Sequence, residues 1–425
     1  MFILDDRLDS VRREKRPGHR EVAFWLKSLQ VADGGARRIA AGAKPREKFY
    51  LPELDTLRFF AFLCVFLYHL RFTLAWRPGA LETITKDVLP AGALGVGLFF
   101  TLSAYLITKL LLRERAASGK VHFVYFYIRR ALRIWPLYFS FLAFGTALVY
   151  FNPAFRYAAV NPKYLWLMAI FLGNCAPASW MGSAIVLAHM WSVSIEEQFY
   201  LFWPMVIREA SERKLRIIAI GLMVTAWLAR IAALLAGATP LWIWTFTFTR
   251  LDPFAIGILL ATVPHASVAN LRPNRRIGAL FAGFACWSVA RYCGKAKVLK
   301  YLHIGLLLKY PFAALGSGAF LLATLGAAKA GARFTTNAAL VYLGRISYGL
   351  YVYHLFAMMF TRRYVFPLYL DRLRGSERQV WVGWLVYIAI SLSLTVLLAA
   401  ASYKWLESPF LKLKERFTYI QSRPV

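Results

Sequence analysis

The chain has 425 residues, 59% hydrophobic and 17% charged, with 52 Lys and Arg against 21 Asp and Glu, a formal net charge of +31. Its apolar residues come in long blocks rather than amphipathic periods, which excludes a water-soluble globular protein and places it in the membrane class. The basic residues cluster between those blocks, the pattern of inward-facing loops attracted to anionic lipid, so the charge is no sign of nucleic-acid binding.

Residues 1–50 are polar and basic without a long apolar run. Ala23 to Val31 is too interrupted to be the hydrophobic region of a secretory signal. The segment therefore reads as a cytoplasmic tail, disordered or interfacial, with a short amphipathic stretch at Glu21 to Val31 as the alternative. Ten spans are expected, at approximately 56–76, 90–112, 132–151, 190–208, 217–237, 242–263, 277–292, 304–328, 339–361 and 380–403. Tyr164 to Gly173 is apolar but short for the roughly 20 residues that a span needs, and reads as re-entrant or as a partial helix. With both termini inside, the basic loops fall mainly inside. The exception is 362–379, which carries Arg362, Arg363, Arg372, Arg374 and Arg378 yet lies outside. The fold expected is all-α, a polytopic membrane helix bundle.

The first span, DTLRFFAFLCVFLYHLR from Asp55 to Arg71, holds Arg58 and His69, eleven residues apart. That is almost three turns, so both side chains share a face, about 16 Å apart along the axis. Ionisable groups in hydrocarbon are costly and commonly mark function, although each could also reach toward a headgroup region. In the second span the small residues of GVGLFFTLSAYLITKLL suit close helix packing, which is sufficient reason for Ser103. YFYIRRALRIWPLYF then places Arg129, Arg130 and Arg133 within two turns at the entrance of span three, after Tyr125 and Tyr127. They are either topology anchors or forks for a phosphate-bearing cofactor.

HMWSVSIEEQFYLFWP puts adjacent carboxylates, Glu196 and Glu197, inside a span. Burying both is too expensive for mere packing, so they read as ion-pair partners or as catalytic or orienting groups. Ser192, Glu196 and Tyr200 share one helical face. In TRLDPFAIG, Arg250 and Asp252 are two apart and do not face each other, so an ion pair with another helix is favoured. Ser347, Tyr351 and His354 share a stripe in GRISYGLYVYHL, where a lone histidine reads as a hydrogen-bonded packing residue; Glu407 lies at the end of the last span. Cys64, Cys175, Cys286 and Cys293 lack metal-ligand spacing. There is no phosphate-binding loop, dinucleotide fingerprint or internal repeat.

Taken in order, these elements resemble acyltransferase family 3, integral-membrane O-acyltransferases of bacteria and some animals. The resemblance covers about 50–410 and rests on LDTLRFFAFLCVFLYH (54–69), GLFFTLSAYLIT (97–108), YIRRALRIWPLYF (127–139), MWSVSIEEQFYLFWP (190–204), RLDPFAIGILLA (250–261), GRISYGLYVYH (344–354) and KWLESPF (404–410). Thr56, Phe59 and Ala104 stand where the family often has glycine-rich sequence or Gly. The domains implied are a basic cytoplasmic tail (1–50), a membrane acyltransferase domain (51–410) and a cytoplasmic C-terminal tail (411–425). Some members carry a hydrolase-like domain after the last span, and this chain, ending about twenty residues past Trp405, is not expected to.

The resemblance implies transfer of an acyl group, commonly acetyl from acetyl-CoA, to a hydroxyl of a carbohydrate, polysaccharide or glycolipid acceptor, at the bacterial cytoplasmic (inner) membrane. It implies no metal and no nucleic-acid partner, with an anionic bilayer as surroundings. The family requires the first-span Arg and His, here Arg58 and His69. Arg129, Arg130 and Arg133, with Tyr127, are expected to hold the CoA phosphates. His69 is expected to act as general base, oriented by Glu196 or Glu197, and Arg58 to stabilise an oxyanion or position the donor; an acyl-histidine is the main variant. A transporter or flippase for an anionic or sugar-lipid substrate is the alternative and would show inverted repeats or midplane-broken helices.

Overall fold

The computed structural model describes residues 49–71, 82–152, 155, 160–295, 304–367 and 376–420. The tail at 1–48, Arg372 and Arg374 lie outside them. Among the described residues all regular structure is helical. Six helices among the described residues are long and apolar enough to cross a membrane: Ile84–Ser118, Phe123–Phe151, Glu212–Leu235, Pro273–Lys295, Ile304–Thr324 and Arg378–Glu415.

Helix α1, Pro52–Leu70, opens on a proline and carries Glu53 and Asp55 in its first turn, where the helix dipole favours acids. Glu53 accepts the Gly326 N–H at 3.0 Å, and Asp55 accepts the Tyr50 hydroxyl at 2.9 Å. Helix α2, Gly95–Ser118, stops at Gly119, whose φ of 74° gives a left-handed cap with the amide returned to the Arg115 carbonyl. Helix α3, Phe123–Phe151, starts well before the expected span at 132. Hydropathy marks where a membrane begins, while nothing in Phe123–Ala131 breaks a helix, so the arginines lie inside α3 rather than in a loop before it.

The short apolar run forms α4, Pro162–Ala169, whose eight residues reach only about 12 Å, so it is a partial helix. Helices α5, Trp191–Glu209, and α6, Glu212–Leu235, follow. The expected span 242–263 is broken into a short helix, Pro240–Thr245, and α7, Asp252–Thr262. The Thr249 hydroxyl occupies the Ile243 and Phe246 carbonyls at 2.6 and 2.7 Å, and Pro253 has no N–H to continue the ladder. Helices α8, Pro273–Lys295, and α9, Ile304–Thr324, form a hairpin. The span at 339–361 is also interrupted, as α10, Ala338–Arg345, and α11, Ser347–Phe360, meet at Ile346. Helix α12, Glu377–Ser402, starts on a Ser376–Gln379 capping box and leads through the turn Tyr403–Glu407 into α13, Ser408–Glu415.

Two buried contacts fix the frame around the site. Arg230 on α6 holds Asp252 on α7 through both terminal nitrogens, at 2.5 and 3.0 Å, and donates to the Thr249 carbonyl at 2.9 Å. This is the inter-helix ion pair expected for the RLDP element. The other contact joins α10 to α1 at Gly344: a Cβ there would overlap the backbone carbonyl of Asp55. Backbone cannot move aside as a flexible side chain can. Gly344→Ala is therefore expected to cost about 3 kcal/mol by overpacking and to lower the melting temperature in detergent. Gly221→Ala on α6, where a Cβ meets nothing within 4 Å, is the control and should change little.

Candidate active site

The site is a row of three cavities between α1, α2, α3, α5 and α11. The first, about 100 Å³, is lined by Asp55, Arg58, Ser103, Arg130, Arg133 and Lys414. The second, about 110 Å³, shares Arg58, Ser103, Arg130, Arg133 and Tyr200 with it and adds Glu196, Ser192 and Tyr351. The third, about 590 Å³, shares Tyr351 and Val96 with the second and contains His69 and His189. The row thus runs from a basic end to a histidine end, with Arg58 near one and His69 in the other.

At the basic end, the three arginines of α3 divide. Arg129 turns away to Glu114, at 2.6 Å, and to the Phe417 carbonyl, at 2.8 Å. Arg130 packs between the Phe126 and Tyr200 rings, each 5.7 Å from its guanidinium carbon, and its Nε is buried without a hydrogen-bond partner. Arg133 lines both small cavities beside it. The hydroxyl of Tyr127 donates to the Leu201 carbonyl at 2.7 Å, tying α3 to α5. Lys414 of α13 completes the basic mouth. It stands out only when the C-terminal segment folds back along α3, so no local pattern announced it.

At the joint between the first two cavities, the Ser103 hydroxyl donates to Glu196 Oε1 at 2.7 Å and accepts from the Tyr200 hydroxyl at 3.1 Å. Arg58 lies in the same lining, 3.5 Å from Asp55 one turn before it on α1. Adjacent residues on a helix diverge by about 100°, and the two glutamates do so. Glu196 faces the cavities, whereas Glu197 accepts the Trp135 indole N–H at 3.1 Å. Ser103, which packing alone seemed to explain, is therefore part of a polar chain.

At the histidine end, His354 Nδ1 lies 2.5 Å from the Tyr351 carbonyl, and its Nε2 lies 3.1 Å from His69 Nδ1. His69 Nδ1 is also 2.9 Å from the Val65 carbonyl. A carbonyl oxygen only accepts, which assigns the protons. His354 carries its proton on Nδ1 and presents an Nε2 lone pair. His69 then donates from Nδ1 to that lone pair and to Val65, leaving its own lone pair on Nε2. His189 packs edge-on to His354, ring centroids 5.0 Å apart, and points Nε2 at the Val352 carbonyl, 3.1 Å away. The Tyr351 hydroxyl donates to the His189 carbonyl at 2.7 Å, with Ser192 also 2.7 Å from it. The ring in hydrogen-bond contact with His69 is thus a second histidine, whereas Glu196 and Glu197 hydrogen-bond Ser103 and Trp135. His354 shares its helical stripe with Tyr351, and the meeting of that stripe with α1 is a contact between distant parts of the chain that leaves no local sequence pattern.

Comparison with known proteins shows the family. A family model described as an acyltransferase domain matches residues 51–402. A protein of Staphylococcus aureus strain COL named "Putative O-acetyltransferase" is 26% identical over 396 residues, covering 87% of this chain and 58% of its own length. The O-acetyltransferase OatA of Staphylococcus aureus strain NCTC 8325 is 28% identical over 385 residues, covering 85% of this chain and 57% of its own. The chain thus spans rather more than half the length of these curated relatives. No solved structure matches. With the matched region enclosing α1 to α12 and all but one of the residues singled out in the three cavities, the chain belongs to acyltransferase family 3, a family of multi-pass membrane acyltransferases.

Proposed function

We propose that the protein transfers an acetyl group from acetyl-CoA to a hydroxyl of a carbohydrate, polysaccharide or glycolipid acceptor, from within the bacterial cytoplasmic membrane. In this reading ten spans cross the bilayer, the basic end of the cavity row opens to the cytoplasm, and the histidine end opens to the opposite side. The 1–50 tail and the 411–425 tail are cytoplasmic, and 51–410 is the catalytic domain. The observation that carries the proposal is the shared lining: Arg58, Arg130 and Arg133 belong to both small cavities, and Tyr351 joins the second to the chamber of His69.

Arg130, Arg133 and Lys414 receive the CoA phosphates, since guanidinium forks match phosphate oxygens. Arg129, with Tyr127, braces α3 from behind. The pantetheine arm lies along Arg58, Ser103, Glu196 and Tyr200, and the thioester reaches the Tyr351 junction. There His69 Nε2 takes the proton from the acceptor hydroxyl as its oxygen bonds to the acetyl carbonyl carbon. The C–S bond then breaks, and the imidazolium returns the proton to the departing thiolate, giving the acetyl ester and CoA thiol. Neutral His354 holds His69 in the tautomer that this step requires. Glu197 supports α5 through Trp135 at the side of the site.

The direct test is purified protein in lipid nanodiscs supplied with acetyl-labelled acetyl-CoA and a membrane glycan fraction. Label in the glycan with stoichiometric CoA release is expected, and passage of substrate without acetylation would overturn the reading. A second test isolates His354. His354→Gln keeps an acceptor for the His69 N–H and should retain most of kcat. His354→Leu removes it and should lower kcat about 10- to 100-fold, in the range for a group that orients a catalytic base, with the KM for acetyl-CoA unchanged. Equal activity of the two variants would reduce His354 to packing.

A further inference from the structure

A fourth cavity, about 720 Å³, lies apart from the row, between α1, α8 and α9. Its wall includes Leu57, Phe60, Leu280, Phe284, Trp287 and Phe320. The polar side chains that reach it are already spent. The hydroxyl of Thr56 donates to the Thr335 carbonyl, that of Thr335 to the Ala332 carbonyl and that of Thr324 to the Phe320 carbonyl, each at 2.8 Å. The Trp287 indole donates to the Ala313 carbonyl at 3.2 Å. Arg276 uses all five of its N–H groups on the carbonyls of Leu271, Ala323, Leu325, Val268 and Ala269. No hydroxyl, indole or guanidinium in the wall is left to donate to a sugar, and the wall suits an alkyl chain.

Ile277, Leu280, Phe284 and Phe334 line the cavity and are exposed, so it opens sideways as a groove. From Arg276 to Trp287 the groove follows α8 for about 16 Å. That is the depth of one leaflet, half of a hydrocarbon core roughly 30 Å thick. Around the Arg276 end, four exposed cations each adjoin a lining residue in sequence: Arg272 beside Pro273, Arg275 beside Arg276, Lys329 beside Ala330, and Arg333 between Ala332 and Phe334. Arg276 ties the two pairs together through the Ala323 and Leu325 carbonyls, just ahead of Lys329. Among the described residues none of the four has an ion pair. The acid at this end, Glu53, is buried and accepts the Gly326 N–H. No Asp or Glu occurs in the sequence from Pro253 to Leu370.

We propose that this groove binds one anionic phospholipid, with an acyl chain along α8 and the phosphate among Arg272, Arg275, Lys329 and Arg333. An apolar slot one leaflet deep, ending in cations without acids, complements that molecule at both of its ends. Thr56, Leu57, Phe60 and Cys64 of the wall belong to α1, so the lipid braces the helix that carries Arg58 and His69. The site stands independently of the acetyl-transfer reading and is tested without turnover.

The test uses the full chain in neutral detergent, titrated with phosphatidylglycerol or with phosphatidylcholine of the same acyl chains, and followed by thermal unfolding. Phosphatidylglycerol should raise the melting temperature saturably, and phosphatidylcholine should bind at least tenfold more weakly. Arg275→Gln combined with Arg333→Gln should weaken phosphatidylglycerol about 30-fold, or about fivefold per cation removed. Leu280→Trp, at an exposed position in the groove, should weaken both lipids by obstructing the chain. Two controls should bind as the wild type does: Arg213→Gln with Lys214→Gln, exposed cations on α6, and Phe281→Trp, exposed but outside the wall. No protection of the wild type, or unchanged binding in Leu280→Trp, would overturn the groove. Equal affinity for the two lipids, or equal weakening by the Arg213 and Lys214 pair, would reduce the rim to general attraction and overturn the headgroup site. The exposed Arg275 and Arg333 pair decides alone if Leu280→Trp fails to fold.

Discussion

His69→Ala is expected to lower kcat for acetyl transfer by about 10²- to 10⁴-fold, the span for loss of a positioned acid–base group, while acetyl-CoA still binds. His69 stands on α1 in the wall of the 590 Å³ chamber, and its Nδ1 proton is committed to Val65 and His354. Its basic nitrogen is then Nε2, the atom a general base must present. Alanine removes the base and leaves the cationic donor mouth, roughly 16 Å away along the same helix, untouched. Steady-state kinetics with an acetyl-CoA titration check both halves. Turnover near wild type in a folded His69→Ala protein would remove the histidine from the chemistry.

Arg58→Gln should fail differently. About three helical turns separate it from His69, and it lines the two small cavities rather than the chamber of His69. Of the two roles expected for Arg58, the proposed mechanism uses holding the donor. Losing a charge-assisted hydrogen bond costs about 1.5–3 kcal/mol, so the KM for acetyl-CoA should rise roughly 10- to 150-fold with a smaller change in kcat. Arg58→Lys should fall between, since an ammonium keeps the charge and loses the fork. A large loss of kcat at unchanged KM would instead place Arg58 at the reacting carbonyl.

The helical class and the rough placement of the long helices were legible because burial in lipid leaves long apolar blocks in sequence, while several ends lie three to nine residues from where hydropathy puts them. The helices that carry the site are less plain by that measure. Helices α1 and α5 are 19 residues each yet include Glu53, Asp55 and Arg58, and Glu196, Glu197, Arg208 and Glu209, respectively. Function has replaced hydrocarbon there. Helical period correctly grouped Ser192, Glu196 and Tyr200 on one face, and Tyr351 with His354. Period alone could not supply the phase that turns Glu196 inward and Glu197 to Trp135, since that depends on which neighbour each face meets. The breaks near Thr249 and at Ile346 also escaped it, because hydropathy averages over single turns. His354 beside His69, Ser103 beside Glu196 and Lys414 beside Arg133 are contacts between residues far apart in the chain, so no local reading could pair them.

In the proposed mechanism one continuous path carries acetyl from the basic end to the histidine end. Proteoliposomes with the protein in a single orientation test it most directly, with acetyl-labelled acetyl-CoA supplied only on the Arg130–Arg133–Lys414 side and membrane glycan only on the other. Labelled glycan across the membrane and CoA released on the donor side are expected, and neither with His69→Ala. Labelled glycan only when donor and acceptor share a side would contradict it.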